Sequence, residues 1–491
     1  MNDVPCPLLR AFHRLVRTAP EAPALLSADG RVLASRRQLA AAADAFAQAV
    51  AEFVRPGHVV ALSLPNTCSF LPAFLGLRQR GARVALVDAA APTEELARCA
   101  ATVGARAIVA SQERLAQLGV VWSDGVIALA SGPPFEEVPL PPGTAVLKLT
   151  SGSTGAPRAV AVSARHLAAD TVQIMRTMGV RPGDVTLAAI PLTHSYGIGS
   201  CLVPAILLGT PLAFPSSALP GALVHTLAAA GVQHFPAVPA MIRALATIAT
   251  PEATATLRVC LTAGAPLAPA DAAAFYRATG RVVHVFYGSS ECGGITYDRR
   301  DETPSVPGYV GTAMERVTVE VVDEEGHPLP PGLEGRVLVR SRAVAAGTVP
   351  ASPPEILAPG RFLTGDLGVL DDGGGLTLRG RVADILNVAG KKVHPDEVRR
   401  VVEAIPGVRA AAVVGLPDAH RGDLVAAVVA VDEAAGLSVR AILAACRARL
   451  SPHKVPRRVV LVPELPLSDR GKLRRDELLR LLGGAPSADH R

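Results

Sequence analysis

The densest group of residues suited to chemistry is a ten-residue stretch, LTSGSTGAPR, at positions 149–158. It interleaves small hydroxyl residues with glycines and ends on Pro157 and Arg158. Exposed backbone N–H groups, hydroxyls and a guanidinium all donate hydrogen bonds to anions, so this composition suits a loop that wraps phosphate oxygens. A flexible linker is the alternative, because Gly/Ser-rich stretches also behave as coil. Composition alone leaves both interpretations open.

Six further stretches combine small residues, which expose the backbone, with polar or charged side chains. They are PLTHSYGIG (191–199), LTAGAPL (261–267), FYGSSECGG (286–294), RFLTGDLGVL (361–370), LRGRVADILNVAGKKV (378–393) and LPLSDRGKLRR (465–475). Neither a Walker motif, GxxxxGK[ST], nor a GxGxxG fingerprint occurs in the chain. The two most familiar phosphate-binding loops are therefore excluded.

Strands and helices alternate around these stretches. Residues 36–53 have helical spacing and are followed by GHVVALSLPN, a strand that ends in a turn. The same alternation recurs up to about residue 111 and again through 222–288. It indicates a mostly parallel sheet covered by helices on both faces. TAVLKLT is predicted to be a strand, so the loop after it would lie at a carboxyl end, where α/β folds place ligands.

The pattern changes twice towards the C-terminus. Residues 305–380 read as short strands with turns, which is typical of a small barrel or antiparallel sheet. About a hundred residues of α+β character follow, with predicted helices near 395–405 and 438–450 and predicted strands at 409–417, 423–431 and within 456–466. We expect an α/β fold in which a large N-terminal domain, residues 1–382, has stacked, mostly parallel sheets, helices and a small β-barrel-like subdomain. A small α+β C-terminal domain, residues 383–491, would follow it.

The bulk composition excludes several classes of protein. The 491 residues are 49% apolar and 19% charged with a formal net charge of +6, which indicates a globular chain of two or three domains. Five lysines, at 148, 391, 392, 454 and 472, accompany 44 arginines, and no run of them is dense enough for a nucleic-acid tract. Seven scattered cysteines without a CxxC pair argue against both a disulfide framework and a zinc site. They fit a reducing compartment, the cytoplasm. Prolines and glycines interrupt the charge-free run 185–242, which favours core elements over a membrane span.

Taken in this order, the motifs resemble those of the adenylate-forming superfamily: acyl- and aryl-CoA ligases, stand-alone adenylation domains and luciferases. The resemblance extends from about residue 20 to residue 480. It implies a two-step reaction that uses ATP and Mg²⁺. A carboxylate attacks the α-phosphate, giving an acyl-adenylate and pyrophosphate, and the acyl group then passes to a thiol. It also implies that the C-terminal domain is a mobile lid that carries a catalytic lysine.

The resemblance implies a role for individual residues of the motifs. Those implied to contact ATP are Thr150, Ser151, Gly152, Ser153, Thr154, Gly155 and Arg158 at the β- and γ-phosphates, Gly264, Ala265, Pro266 and Tyr287 at the adenine, and Asp366 with Arg381 at the ribose. Arg158 stands where the family usually has lysine, and its charge is the same. Glu291 is implied to hold Mg²⁺, a hard cation that favours carboxylate oxygen, and Ser290 to contact the α-phosphate.

The catalytic lysine of the resemblance is Lys472, which follows Gly471 in a turn. It is implied to reach the substrate carboxylate and an α-phosphate oxygen and to neutralise the charge of the transition state. Considered without the other motifs, Lys472 fits a solvated charge and Asp366 fits a turn cap.

The acid is expected to be aryl or aliphatic. Members of the superfamily that activate amino acids use an aspartate near position 194 to bind the α-ammonium group of the substrate. This chain has His194 there and no acidic residue in 185–242. We expect His194, Gly197, Ile198 and Gly294 in the wall of the acid pocket. A buried structural histidine is the alternative for His194.

The acceptor is expected to be CoA, because ILNVAGKKV resembles the CoA ligases more than amino-acid adenylation domains. Gly390 would let pantetheine pass close to the backbone, and Lys391 and Lys392 would contact CoA phosphates, although a solvated lysine pair is equally ordinary. The alternatives are a carrier-protein phosphopantetheine in trans and a non-thiol nucleophile. Ala383 stands where the family usually has an Asp or Lys hinge, which leaves open how the lid is held in its two poses.

Overall fold

The computed structural model describes residues 6–116, 119–132, 138–151, 157–382, 386–388, 391–418, 422–432, 436–467 and 473–483. The chain divides into two compact units. The first comprises Met1–Val319, Leu338–Leu363 and Gly373–Leu376, and the second comprises Glu320–Val337, Thr364–Asp372 and Thr377–Arg491. The chain therefore passes from one unit to the other several times.

The helices are α1 Pro7–Thr18, α2 Arg36–Ala49, α3 Phe70–Gln79, α4 Thr93–Thr102, α5 Gln112–Leu115, α6 Ala164–Met178, α7 Ser195–Gly197, α8 Val203–Leu207, α9 Pro220–Ala229, α10 Pro239–Leu245, α11 Pro269–Thr279, α12 Pro395–Glu403, α13 Val439–Arg449 and α14 Arg475–Gly483. A π-helical turn, Ile198–Leu202, joins α7 to α8.

The strands are β1 Pro23–Leu26, β2 Val32–Ser35, β3 Val59–Ser63, β4 Arg83–Leu86, β5 Ala107–Ser111, β6 Val120–Ser123, β7 Ile127–Ser131, β8 Thr144–Ser151, β9 Pro157–Ser163, β10 Thr186–Leu187, β11 Leu212–Ala213, β12 His234–Ala237, β13 Val259–Thr262, β14 Val283–Ser289, β15 Gly293–Tyr297, β16 Tyr309–Ala313, β17 Thr318–Val322, β18 Glu334–Arg340, β19 Gly347–Val349, β20 Leu357–Ala358, β21 Arg361–Leu370, β22 Gly375–Arg381, β23 Leu386–Val388, β24 Lys391–Val393, β25 Val408–Asp418, β26 Gly422–Val431 and β27 Arg458–Val462.

The first unit contains an eight-stranded sheet in the order β19-β9-β8-β4-β3-β5-β7-β6. Its central pairs, β4–β8, β3–β4 and β3–β5, are parallel, while β8–β9 is an antiparallel hairpin. The predicted strand at 144–150 is confirmed as β8, one residue longer at its carboxyl end. Because β8 runs parallel to β4, the loop after it emerges at the carboxyl edge of this sheet.

A second sheet of the first unit places nine strands in the order β16-β15-β14-β13-β12-β10-β11-β1-β2. The pairs from β14 through β12 and on to β1 are parallel, whereas β2, β15 and β16 are joined antiparallel. The carboxyl ends of β13 and β14 are therefore neighbours, which brings the stretches 261–267 and 286–294 together.

The two sheets share one apolar core. Buried side chains of the eight-stranded sheet, such as Val60 and Leu62, and of the second sheet, such as Leu25 and Leu212, belong to one cluster that also includes residues of α1, α2, α3 and α6. The opposite face of the eight-stranded sheet packs against α4 through Leu96 and its neighbours. Helices cover both faces of this sheet, so the expected α/β class with stacked, mostly parallel sheets is confirmed.

The second unit contains a five-stranded sheet in the order β24-β23-β26-β25, with β27 parallel to β26. Alternate residues of β26 point to opposite faces. Val425, Ala427 and Val429 pack with α12 and α13, whereas Ala426 and Val428 pack with α14. Strands β17, β18, β21 and β22 are neighbours in that order. The expected small α+β part is confirmed.

Two details differ from or refine the expectations. Helix α2 begins where predicted, at a capping box formed by Ser35 and Gln38, but ends at Ala49, because Val50, with φ −96° and ψ 7°, leaves helical geometry. The charge-free run 185–242 forms several short elements, of which β12 is fully buried. None of the described helices has the length and apolar character needed to cross a membrane.

Candidate active site

Residues 290–294, named here the turn 290–294, comprise the turn after β14 and the first two residues of β15, and they carry Ser290 and Glu291. Ser289, at the end of β14, accepts hydrogen bonds at Oγ from the backbone N–H groups of Glu291 (3.2 Å) and Cys292 (3.3 Å). The carbonyl of Glu291 accepts a hydrogen bond of 2.7 Å from the N–H of Ala345. The backbone around Glu291 is therefore held by the nearby Ser289 and by Ala345 from a distant part of the first unit.

Ser290 is held by two further elements. The Oγ of Ser195, the first residue of α7, donates a hydrogen bond of 2.7 Å to Ser290 Oγ. Lys148 on β8 donates through Nζ to the Ser290 carbonyl at 3.3 Å. The structure thus brings together three of the predicted motifs: the strand before the hydroxyl-rich loop, the PLTHSYGIG stretch and the FYGSSECGG stretch.

The hydroxyl-rich loop is described at its two ends. In the β8–β9 hairpin, Thr150 pairs with Arg158 and Ser151 pairs with Pro157. Arg158 is half-buried, donates to Thr348 Oγ1 at 3.2 Å and contacts Ser352 Oγ. Gly152, Ser153, Thr154 and Gly155, together with the side chains of Thr150 and Ser151, lie outside the described residues.

The residues expected at the adenine lie at adjacent strand ends. Gly264, Ala265 and Pro266 follow β13 and are exposed, and Tyr287 on β14 is half-buried. Gly264 has φ +87°, and a Cβ atom built on it would meet nothing within 4 Å. The backbone after β13 is therefore open to a flat ligand, with an aromatic ring on the neighbouring strand.

The residues expected at the ribose are paired within the second unit. Arg381 Nε, at the end of β22, donates a hydrogen bond of 2.9 Å to Asp366 Oδ1 on β21. The Asp366 side chain is 16% exposed and that of Arg381 is 65% exposed, so the carboxylate is sheltered while the guanidinium remains accessible. The N–H of Asp366 donates to Thr364 Oγ1 at 3.1 Å, which fixes the carboxylate's own backbone.

His194 lies just before α7, with Nε2 3.5 Å from Asp88 Oδ2. Its neighbours in the motif are tightly packed. A Cβ atom on Gly197 would come within 2.1 Å of the Pro191 carbonyl oxygen, and Ile198 is 1% exposed. Gly294 is similarly enclosed, with a Cβ position 2.6 Å from Met314 Sδ.

Two family models match the chain: AMP-binding enzyme over residues 12–348, and AMP-binding enzyme C-terminal domain over residues 397–472. The chain belongs to the AMP-binding enzyme family. The predicted adenylate-forming superfamily, and an AMP-forming acid–thiol ligase within it, are thereby confirmed, with ATP as a substrate.

Among curated relatives of this AMP-binding enzyme, a feruloyl-CoA synthase from Amycolatopsis sp. is 29% identical over 88% of this chain and 90% of its own length. A 2-succinylbenzoate–CoA ligase from Geobacillus kaustophilus is 29% identical over 92% and 94% of the two chains. Two solved structures also match. ATP-bound MatB from Rhodopseudomonas palustris is 25% identical, with a TM-score of 0.79 over 95% of this chain and 97% of its own. The amide bond synthetase McbA from Marinactinospora thermotolerans is 27% identical, with a TM-score of 0.81 over 96% and 99%.

Several residues expected in the site of an AMP-binding enzyme are not described. Lys472, Gly390 and the hinge position Ala383 lie outside the described residues. Lys391 and Lys392 belong to the backbone of β24, but their side chains also lie outside the described part. The roles expected for these residues stay predictions.

The donor set fits a Mg²⁺ ion held chiefly by phosphate. Mg²⁺ usually takes one or two carboxylates together with substrate phosphates and water. Within the described part of the chain, no group of three or more His, Cys, Asp or Glu side chains is placed to hold a metal ion. Glu291, half-buried on its turn, would be the single carboxylate of such a site, and this role stays a prediction.

Five residues that contact this site were given no role there by the sequence: Asn66, Asp88, Lys148, Asp170 and Ser195. Asn66 Nδ2 donates to the carbonyls of Ala188 and Ile190, each at 2.8 Å, and its Oδ1 accepts from the N–H of Leu192 at 2.9 Å. It thereby holds the segment that leads to His194. The only signal in the sequence was a polar residue directly after a predicted strand, which by itself is typical of any turn.

Proposed function

We propose that this AMP-binding enzyme activates an aryl or aliphatic carboxylic acid as its acyl-adenylate and transfers the acyl group to the thiol of CoA. The observation that carries the proposal is the turn 290–294, which holds Ser290 and Glu291 at the carboxyl end of β14 and is bonded to β8, the strand that enters the hydroxyl-rich loop. A phosphate loop and a metal-binding carboxylate on adjoining elements are what transfer of an adenylyl group requires.

In the first step, a carboxylate oxygen of the acid forms a bond to the α-phosphorus and pyrophosphate leaves. The loop 150–155 would donate hydrogen bonds to the β- and γ-phosphates, and Ser290 to the α-phosphate. Asp366, oriented by Arg381 at 2.9 Å, would accept hydrogen bonds from the ribose hydroxyls. Lys472 would neutralise charge on the attacking and α-phosphate oxygens, and Mg²⁺ on Glu291 would supply electrostatic stabilisation of the polyphosphate.

The acid class is supported by charge. The segment 185–242 contains no Asp, Glu, Lys or Arg, so it supplies no counter-ion of its own to a substrate ammonium group, and the carboxylate of Asp88 beside it is already 3.5 Å from the His194 imidazole. Burying an unpaired ammonium is costly, which disfavours α-amino acids. His194, held beside Asp88, is proposed to line the acid pocket.

In the second step, the acceptor sulfur bonds to the acyl carbon, AMP leaves and the thiol proton is lost. CoA is favoured because the curated relatives named above act with CoA. Gly390 and Lys392 would lie along the path of its pantetheine and phosphate groups. The likeness to an amide bond synthetase supports a second candidate, capture of the adenylate by an amine. A carrier-protein phosphopantetheine is the third acceptor.

We further propose that residues 383–491 act as the lid, with the change of pose centred near Ala383. The family model for the C-terminal domain covers residues 397–472, which supports a boundary before 397. All seven cysteines are free, which supports a reducing compartment such as the cytoplasm.

The proposal is tested by acid-dependent exchange between ATP and labelled pyrophosphate, using panels of aryl, aliphatic and α-amino acids. We expect exchange above background with aryl or aliphatic acids and only background exchange with α-amino acids. The best acid is then incubated with CoA, with a carrier protein that bears a free phosphopantetheine thiol, and with amines. The products are identified by mass. Robust exchange with a standard α-amino acid would contradict the acid class, and amide without thioester would favour the second acceptor.

A further inference from the structure

Lys148 is a cation buried in the core of the first unit. It lies on β8 at an alternate position to Val146, and therefore on the same face of the strand, which packs into the core between the two sheets. Lys148 is 3% exposed. Burial of an ammonium group is unfavourable unless it is paired and hydrogen-bonded, so a buried lysine in an otherwise apolar strand calls for a function.

The ammonium group of Lys148 is directed at the turn 290–294. Its Nζ donates to the carbonyl of Ser290 at 3.3 Å. Burial lowers the pKa of Lys148, while the negative charges of Asp170 and Glu291 act in the opposite direction. Lys148 thus contacts the backbone of the residue that precedes Glu291 while its side chain is almost wholly buried.

Asp170 holds the other end of the same turn. It lies on α6, is 4% exposed, and accepts a hydrogen bond of 2.9 Å at Oδ1 from the N–H of Gly294. Burial raises the pKa of Asp170, and the charge of Lys148 lowers it. One strand and one helix, each through a buried ionisable side chain, therefore fix the first and last residues of the turn.

We propose that Lys148 and Asp170 form a positioning pair that holds the turn 290–294, and with it the Ser290 hydroxyl and the Glu291 carboxylate, against the strand that enters the phosphate loop. The inference rests on the proposed function, because it assigns the pair to the MgATP part of that site. Lys148 is two residues before Thr150, so a displacement of β8 relative to the turn would change the distance between the phosphate loop and the metal ligand. An apolar pair of similar volume would fill the same space at lower desolvation cost, but would fix neither backbone group.

The test uses the full-length protein and compares Lys148→Met, Asp170→Asn and the wild type. Methionine keeps most of the volume of lysine and removes both the donor and the charge. Asparagine keeps an acceptor for the Gly294 N–H and removes the charge. Lys454→Met is the matched control, since Lys454 pairs with Glu397 at 2.7 Å in the second unit. The readouts are MgATP and Mg²⁺ titrations of nucleotide binding by equilibrium dialysis, and KM for MgATP and for the acid in pyrophosphate exchange.

Lys148→Met is expected to weaken the apparent affinities for Mg²⁺ and MgATP by roughly 10- to 100-fold, because loss of a residue that orients a metal ligand has an effect of this size. KM for the acid should stay within about twofold of the wild type, because only contacts to MgATP are disturbed. Asp170→Asn should change the same constants in the same direction by a smaller factor, and Lys454→Met should leave them unchanged.

A folded Lys148→Met protein with wild-type MgATP and Mg²⁺ constants would overturn the inference, because Lys148 would then serve packing alone. If that variant does not fold, Asp170→Ala decides, because alanine removes the acceptor of the Gly294 N–H. Unchanged Mg²⁺ affinity in Asp170→Ala overturns the inference and weakened affinity supports it. Failure of the proposed function is recognised separately. Wild-type protein that binds MgATP but gives no exchange with any acid contradicts that function, while the binding comparison between variants still tests the pair.

Discussion

The carboxylate of Asp170 occupies the space that a side chain on Gly293 would need. A Cβ atom built on Gly293 would lie 2.0 Å from Asp170 Oδ1, and Gly293 has φ +70°, in the left-handed region. Glycine adopts this conformation without the clash that other residues suffer. The close approach lets the Asp170 carboxylate reach the N–H of Gly294, and it makes the turn depend on a glycine at this position.

Gly293→Ala is therefore expected to lower the free energy of unfolding by more than its left-handed backbone conformation alone would. Gly280 is a matched control, because its φ is +69° and a Cβ atom there would meet nothing within 4 Å. Gly280→Ala should lower the free energy of unfolding by about 1–2 kcal/mol, the usual penalty for an L-amino acid in the left-handed backbone conformation. Gly293→Ala should cost more and should also raise KM for MgATP. Equal losses in denaturant unfolding and unchanged kinetics would contradict the role given to this contact.

Asn66→Asp should destabilise the segment that leads to His194. A carboxylate would place oxygen against the carbonyls of Ala188 and Ile190, which now accept hydrogen bonds of 2.8 Å. Two buried acceptors that lose their donor cost roughly 2–5 kcal/mol together. KM for the acid should rise more than KM for MgATP. The deficit in unfolding free energy should shrink in acid, because protonation returns a donor, and a pH-independent deficit would argue against this electrostatic cause.

Glu291→Ala should weaken Mg²⁺ and ATP use together, because it removes the only carboxylate proposed to bind the metal ion. Loss of a metal ligand is expected to lower exchange activity by tens of times or more. Glu315→Ala serves as the control, since Glu315 is exposed elsewhere in the same unit. The measurement is the exchange rate as a function of Mg²⁺ concentration. An unchanged rate at limiting Mg²⁺ would refute the assignment.

Lys472→Ala should separate the two half-reactions. The ammonium group is proposed to stabilise charge that develops during attack on the α-phosphate, so kcat for adenylation should fall more than ATP affinity. The expected loss is roughly 3–4 kcal/mol, or about a hundredfold to a thousandfold. Thioester formation from supplied acyl-adenylate should survive. The variant is assayed with acid plus ATP and then with synthetic adenylate plus thiol, and equal losses in both assays would show that Lys472 serves both steps or is structural.

His234 should make the fold sensitive to acid. It is fully buried on β12, with Nδ1 3.1 Å from Thr186 Oγ1, and burial lowers its pKa from 6.5 to about 3. Above pH 6.5 both folded and unfolded chains hold it neutral, so it has no effect. Between pH 6.5 and about 3 only the unfolded chain binds the proton, so the free energy of unfolding should fall by about 1.4 kcal/mol per pH unit from this group.

His234→Gln removes that titration and keeps a polar side chain beside Thr186. Denaturant unfolding of both proteins at pH 7, 6 and 5 should give curves of unfolding free energy that differ in slope below pH 6.5. Parallel curves would show that His234 already binds a proton in the folded protein.

The sequence by itself determined the class of fold and the order of the motifs. Periodicity predicted α2 from its first residue, β8 nearly to its last, and the small α+β part, because apolar spacing and turn residues act within one element. The resemblance to adenylate-forming enzymes likewise depended on residues that are close in the chain. Even there, the end of α2 differed, because helical spacing continues to residue 53 whereas the backbone leaves helical geometry at Val50.

Only the tertiary structure decided which side chains support the site. Lys148 and Ser290 are 142 positions apart, and Asp170 and Gly294 are 124 apart. In the sequence Lys148 is a charge in an apolar strand, Asp170 one acid on a helix, and Asn66 an ordinary turn residue. Their partners are fixed by how the two sheets and α6 pack, since a buried polar group takes whichever acceptor or donor the packing places within reach. Local pattern therefore predicted the elements and the motifs, and long-range packing alone assigned the contacts that hold Ser290 and Glu291 in place.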